Sequence, residues 1–280
     1  MIVSDYELLR MLPPTLRRRL ISLNSPVGTF EPVGVSKDYW SLYLYGKTAK
    51  IVYFKRGVPN PQPKQCNVVA TSVSEKDTDE RFASSLKRTK SNVFELAICN
   101  EFEYFATLTL DETKRDRYDL SAFRTALAQY IRNQNRGRED KILYLCIPEH
   151  HKNGAWHIHG LFKGLTASDL TKFTLRDNIP LRFKRAIRNG EKIYNWVGYA
   201  QRFGYCTLTP IKSVEGCSKY VTKYITKDLL LQSRESGSRL FFASQGLKRR
   251  ECVVRNEFDV CPISDWDYEN EYVKIKTIKL

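Results

Sequence analysis

WHIHGLF, residues 156–162, is a run of strand length that sets two histidines two positions apart. Successive side chains of a strand point to opposite faces, so His157 and His159 share one face and Ile158 takes the other. Upstream, KILYLCIP at 141–148 has the same strand character, and the segment between them holds the turn pair Asn153-Gly154. The two runs therefore predict an antiparallel hairpin.

The pattern extends outward from this hairpin. YFATLTL, following Glu103, is a compact β-branched and aromatic run that predicts a buried strand. Asp119–Asn135 places Leu120, Phe123, Leu127, Tyr130 and Ile131 at spacings of three and four, one apolar face of a helix whose other face is basic. Downstream, a strand is expected at Tyr205–Ile211, a helix from about Val214 to Leu231, and a last strand at Leu240–Ala243. Helices packed on a largely antiparallel sheet make an α+β domain. In the first ninety residues, Tyr39–Tyr45 and Lys50–Lys55 are short strand candidates with turn signals at Gly46 and at Gly57–Pro63. Residues 73–90 are polar and end in a basic cluster, as either a linker or the start of a helix running into Phe94–Cys99. Arg81, Lys87, Arg88 and Lys90 there suit phosphate contacts or a solvated helix face.

The chain of 280 residues is 42% hydrophobic, enough to bury a core. Lys and Arg outnumber Asp and Glu by 46 to 31, a net charge of +15, which favours a polyanionic partner over a merely basic surface. No window approaches the roughly 20 apolar residues of a membrane span. MIVSDYELLRMLPP has no basic start followed by an apolar run, so a cytoplasmic location is expected. The 7 cysteines are scattered with no CxxC pair, which argues against a disulfide framework or zinc ribbon and for reduced, mostly buried thiols. The absence of a GxxxxGK[ST] phosphate loop argues against an NTP-driven motor.

All 4 histidines, His150, His151, His157 and His159, fall within ten residues. Two imidazoles on one face are half a metal site or a hydrogen-bonded pair on a half-buried sheet. A hard divalent ion also wants a carboxylate, and Glu149 lies where the hairpin can bring it across. His150 and His151, near the turn, suit surface or DNA contact. In CSKYVTKYITKD, helical spacing would set Tyr220 and Tyr224, and Lys223 and Lys227, in neighbouring stripes, with Val221, Ile225 and Leu229 on a face able to dock on the sheet. The tyrosines are either packing residues or nucleophiles. A tyrosine hydroxyl titrates near 10, so attack on phosphorus at neutral pH needs a polarised phosphate and nearby positive charge, which a metal and Lys223 would provide. Arg182, Lys184, Arg185, Arg188 and Lys192 form a basic stretch, and Trp156, Phe183 and Trp196 either stack bases or fill the core.

FATLTLDE, WHIHGLF and YVTKYITKD, in this order across residues 94–245, resemble the three motifs of the HUH endonucleases, specifically the rolling-circle replication initiators of phages and plasmids. The resemblance implies a five-stranded antiparallel sheet with histidines on central strands and a tyrosine helix above them. It divides the chain into an N-terminal accessory region (1–93), the endonuclease domain (94–245) and a C-terminal extension (246–280). It implies His157, His159 and Glu149 as ligands of Mg or Mn, and Tyr220 as the nucleophile that leaves a 5′-phosphotyrosyl link and a free 3′-OH. Lys223 would assist phosphate charge, and Tyr224 would be a second nucleophile or a packing residue. Lys227, Arg182, Lys184 and Arg185 would contact DNA. The substrate would be single-stranded and origin duplex DNA in the cytoplasm of a bacterial host, with a host helicase unwinding and a host polymerase extending the 3′-OH. Residues 1–90 would recognise the origin duplex or pack on the nuclease. A mobilisation relaxase or single-strand transposase shares this chemistry, and a non-catalytic origin-binding protein shares the charge.

Overall fold

The computed structural model describes residues 39–55, 75–151, 153–235, 239–256, 265–270 and 273–279. The expected turn at Gly57–Pro63 and the side chain of Arg81 lie outside the described residues. The chain forms two compact units, Val73–Lys248 and Met1–Ser72 with Arg249–Leu280.

In the second unit the aromatic runs form the hairpin β1 (Tyr39–Tyr45) and β2 (Thr48–Phe54), turning at Gly46 with φ 56°. Strand β10 (Glu251–Asn256) pairs with β1, and β12 (Val273–Lys279) pairs with β2 and with β11 (Tyr268–Glu269), all antiparallel. Strands from the accessory region and from the C-terminal extension thus share one sheet. Trp40, Leu42, Ala49 and Ile51 are buried, with Trp266 and Ile278 packed against them.

The larger unit is α+β. It opens with α1 (Glu75–Cys99), a helix that takes up the polar segment and the apolar Phe94–Cys99 in one element. Strand β3 (Tyr104–Thr109) follows, then α2 (Leu120–Gln134), whose Asp119 carboxylate accepts the Ala122 N–H at 2.9 Å as an N-cap. All five apolar positions expected on its inner face are buried. Next come the hairpin β4 (Leu143–His150) and β5 (Trp156–Lys163), β6 (Leu170–Lys172), the basic α3 (Leu181–Arg188), β7 (Tyr194–Trp196) and α4 (Val197–Arg202). Strand β8 (Cys206–Pro210), α5 (Val214–Val221), a 3-10 turn at Thr222–Tyr224, α6 (Lys227–Glu235) and β9 (Phe242–Ala243) complete it. Seven antiparallel strands join in the order β6-β7-β8-β3-β5-β4-β9, in place of five. The short β6 and β9 form the edges.

Alternation along the strands divides this sheet into two faces. Ala106 and Leu108 of β3, Ile158 and Phe162 of β5 and Leu208 of β8 pack with Phe123, Leu127 and Ile131 of α2 and Tyr199 of α4. On the other face Leu145, Ile147 and Leu161 pack with Val93, Leu96 and Ala97 of α1 and with Val221, Ile225, Leu229 and Leu230. Burying each such side chain is worth roughly 1.5–3 kcal/mol, so this strip fixes the segment carrying both tyrosines.

The single helix expected from Val214 to Leu231 is broken. Ile225 is extended, with φ −86° and ψ 92°. Thr226 turns its hydroxyl to accept the Leu229 N–H at 3.2 Å, and Asp228 stands in the first turn of α6. Threonine caps a new helix more favourably than it continues an old one, and an acid near the N-terminus suits the helix dipole.

Candidate active site

The second face carries the site because its apolar strip stops short. Along β5, Leu161 is buried under the helices while His159 and His157 continue the same row of side chains towards the open end. Register fixes their neighbours. Thr107 pairs with His159 and Thr109 with His157 on one side, and Glu149 pairs with His157 on the other. The Thr107 hydroxyl lies 3.3 Å from His159 Nδ1 and the Thr109 hydroxyl 3.2 Å from His157 Nδ1, which turns both Nε2 atoms outward. His159 Nε2 meets Glu149 Oε2 at 2.6 Å. His151 stacks on His157 with ring centroids 3.7 Å apart, and its Nε2 is 3.9 Å from Glu149. Burial, with the charges of His151 and His159, pushes His157 down to about 4. Burial also lowers His159, against the opposing pull of Glu149. Both imidazoles are therefore neutral at pH 7, the form that binds metals. Among the described residues, no three His, Cys, Asp or Glu side chains already converge around one point as a metal-holding group.

The tyrosine segment lies against this row. The Tyr224 ring stacks on His159 with centroids 3.8 Å apart and an interplanar angle of 11°, and its hydroxyl donates to the Tyr220 hydroxyl at 3.1 Å. Phe105 packs edge-on to Tyr220 at 5.4 Å. The Lys223 ammonium is 3.6 Å from the centre of the Tyr220 ring and 4.9 Å from that of Tyr224. Burial raises the Tyr220 hydroxyl, but its contacts with Lys223 and Tyr224 and the Lys223 charge outweigh this and leave it below the ordinary tyrosine value. Tyr224 is raised by burial and by its bond to Tyr220. The two rings are thus unequal, Tyr220 being 45% exposed and Tyr224 half-buried.

All these groups line one cleft of about 1630 Å³, larger than the roughly 300–1,000 Å³ usual for a small ligand. Of the expected DNA contacts, Arg182 is in the cleft wall. Lys184 and Arg185 share its helix without lining the cleft, and Lys227 begins α6 outside the lining. Trp196 is core, Trp156 packs beside the helical layer with its ring 4.6 Å from His150, and Phe183 lines the cleft. Sequence reasoning missed Thr107 and Thr109, which only the β3–β5 register reveals, and the stacking of His151. It also missed Tyr205, the residue before β8.

Residues 103–229, which hold every one of these side chains, match the family model of the ORF2-type replication-associated proteins. This chain belongs to that replication-associated family. Comparisons with curated proteins and with solved structures gave no match. Among the described residues of this replication-associated protein, no helix is long and apolar enough to cross a membrane. No disulfide joins its described cysteines, of which Cys99, Cys146 and Cys206 are buried. Cys66 and Cys261 lie outside the described residues.

Proposed function

We propose that this replication-associated protein is an initiator that nicks and rejoins single-stranded origin DNA through Tyr220. The observation that carries the reading is the continuous chain of contacts from Glu149 through His159 and the stacked Tyr224 to the Tyr220 hydroxyl, with Lys223 over both tyrosine rings. The net charge of +15 suits a nucleic acid, and the cleft is open enough for a polymer.

The donor set fits a hard divalent ion. It offers two neutral imidazoles with Nε2 outward and Nδ1 held by threonines, beside a carboxylate. His157, His159 and Glu149 would hold Mg or Mn, with Glu149 moving off His159 Nε2. Bound there, the ion supplies Lewis-acid polarisation of the scissile phosphate. The Tyr220 oxygen gives up its proton to water and bonds to phosphorus. The bond from phosphorus to the 3′-oxygen breaks, and that oxygen takes a proton as a free 3′-OH. Lys223 stabilises the phenolate and the charge on phosphate. One phosphodiester is exchanged for another, so the 3′-OH can reverse the step without ATP. Tyr224 positions Tyr220 and His159 in the state described, and it can act as a second nucleophile only by leaving His159. Unwinding and extension fall to a host helicase and polymerase in a bacterial cytoplasm.

The test is a denaturing gel of labelled single-stranded origin oligonucleotides with wild type, Tyr220→Phe, Tyr224→Phe and the double variant, with Mn or chelator. A metal-dependent covalent adduct lost in Tyr220→Phe supports the mechanism. Loss only in the double variant assigns both tyrosines. Binding without any adduct from wild type, across several origins and ions, would instead make the protein a non-catalytic origin binder.

A further inference from the structure

The cleft extends well beyond the tyrosines, and its far wall has a different chemistry. The Thr109 N–H donates to the Tyr205 carbonyl at 2.9 Å, continuing the β3–β8 register by one residue beyond the pair Leu108 and Cys206. Tyr205 therefore stands in the row of Thr109, His157 and Glu149. It is two strands from His157, or about 10 Å at the usual strand spacing. Its ring packs on Phe173 with centroids 6.2 Å apart, yet the residue remains 40% exposed and lines the cleft. Above it, α3 has leucine, phenylalanine and isoleucine on one side and arginines and lysine on the other, but none of its residues is buried. Its Phe183 lines the same wall, and the Arg182 guanidinium lies 4.8 Å from the Phe183 ring centre. The Arg182 charge also acts on both Tyr205 and Tyr224, which places it between the far wall and the tyrosine pair.

An aromatic floor, a second exposed ring and a cation between them and the nucleophile are the parts of a single-strand subsite. Stacking engages any base face, and the cation takes the adjoining phosphate. We infer that Tyr205 and Phe183 stack an unpaired base flanking the cleaved phosphate, while Arg182 holds the phosphate between that base and Tyr220. The inference rests on the single-stranded DNA reading above and adds a binding determinant separate from the nucleophile and the histidines. The exposed rings commit the wall to unpaired bases, because a duplex presents no base faces to stack.

The experiment is fluorescence anisotropy of a labelled single-stranded oligonucleotide with the full chain, using wild type, Tyr205→Leu, Tyr205→Phe, Phe183→Leu and Arg182→Gln over a salt series. Each leucine variant is expected to lose about tenfold in affinity, the scale of one unstacked base. Tyr205→Phe, which keeps the ring, is expected to restore what Tyr205→Leu loses, so a general folding defect would not imitate the result. Arg182→Gln is expected to lower the slope of log affinity against log salt by about one contact. If wild type binds the oligonucleotide and both leucine variants match it, the subsite is overturned while the nicking reading stands. If wild type shows no affinity for single strands, the underlying reading fails.

Discussion

Replacing Lys223 with Gln should slow the covalent step most at neutral pH and least in alkali. The Lys223 ammonium lies 3.6 Å from the Tyr220 ring centre, and its contact and charge help to hold the hydroxyl below the ordinary tyrosine value despite burial. Two unit charges about 4 Å apart interact by ~1 kcal/mol in water and ~4 kcal/mol at an effective dielectric of about 20. Tyr220 is 45% exposed, so solvent screening sets the pair near the lower figure. A loss of about 1 kcal/mol in phenolate stabilisation slows attack about fivefold at pH 7. The assay is the single-turnover rate of adduct formation from about pH 6 to about pH 11, with Lys223→Arg as the charge-preserving control. The deficit should close as pH passes the tyrosine range, because both proteins then carry the phenolate, and Lys223→Arg should retain most of the rate. A deficit constant across pH would refute this account and confine Lys223 to the phosphate.

Three further outcomes follow from the same geometry. His157 titrates at about 4 when folded against 6.5 when unfolded, so between these values the unfolded chain binds more protons. Stability present above pH 6.5 should therefore fall as pH drops towards 4, and His157→Gln should flatten that part of a denaturant-midpoint profile. Thr107→Val and Thr109→Val remove the hydroxyls at the two Nδ1 atoms, and titration with Mn should show roughly 10- to 100-fold weaker binding. An unchanged affinity would separate the threonines from any metal role. A Cβ added at Gly160 would stand 2.6 Å from the Phe162 ring and 2.7 Å from Cys146 Sγ. Gly160→Ala should cost about 1–3 kcal/mol in urea unfolding, with part recovered in the double variant with Cys146→Ala.

The elements around the histidines were legible because their patterns are local. Asp119 as a cap, the period of α2, and the β4–β5 hairpin all act over a few residues, so the sequence predicts them and the structure contains them. The sheet edges were not legible, because β6 and β9 have 3 and 2 residues and exist only through their neighbours. The break at Ile225–Thr226 carried a local signal, threonine followed by an acid at 228, that the run of helical spacing concealed. That break also explains why Lys227 leaves the group formed by Tyr220, Lys223 and Tyr224. Tyr205 and the two threonines belong to the site only by cross-strand register, which no single segment encodes. The pairing of the segments that flank the larger unit was likewise invisible, since each hairpin or strand there satisfies its own short pattern.

That pairing sets an order on the birth of the protein. Thr48 is hydrogen-bonded in register with Lys279, and Trp40 with Asn256. On the ribosome, β1 and β2 emerge ahead of the larger unit and wait with both edges uncovered while Val73–Lys248 is made as one uninterrupted stretch. The histidines and tyrosines can therefore be assembled during translation, whereas the sheet that spans both flanks closes only once β10 and β12 have been synthesised.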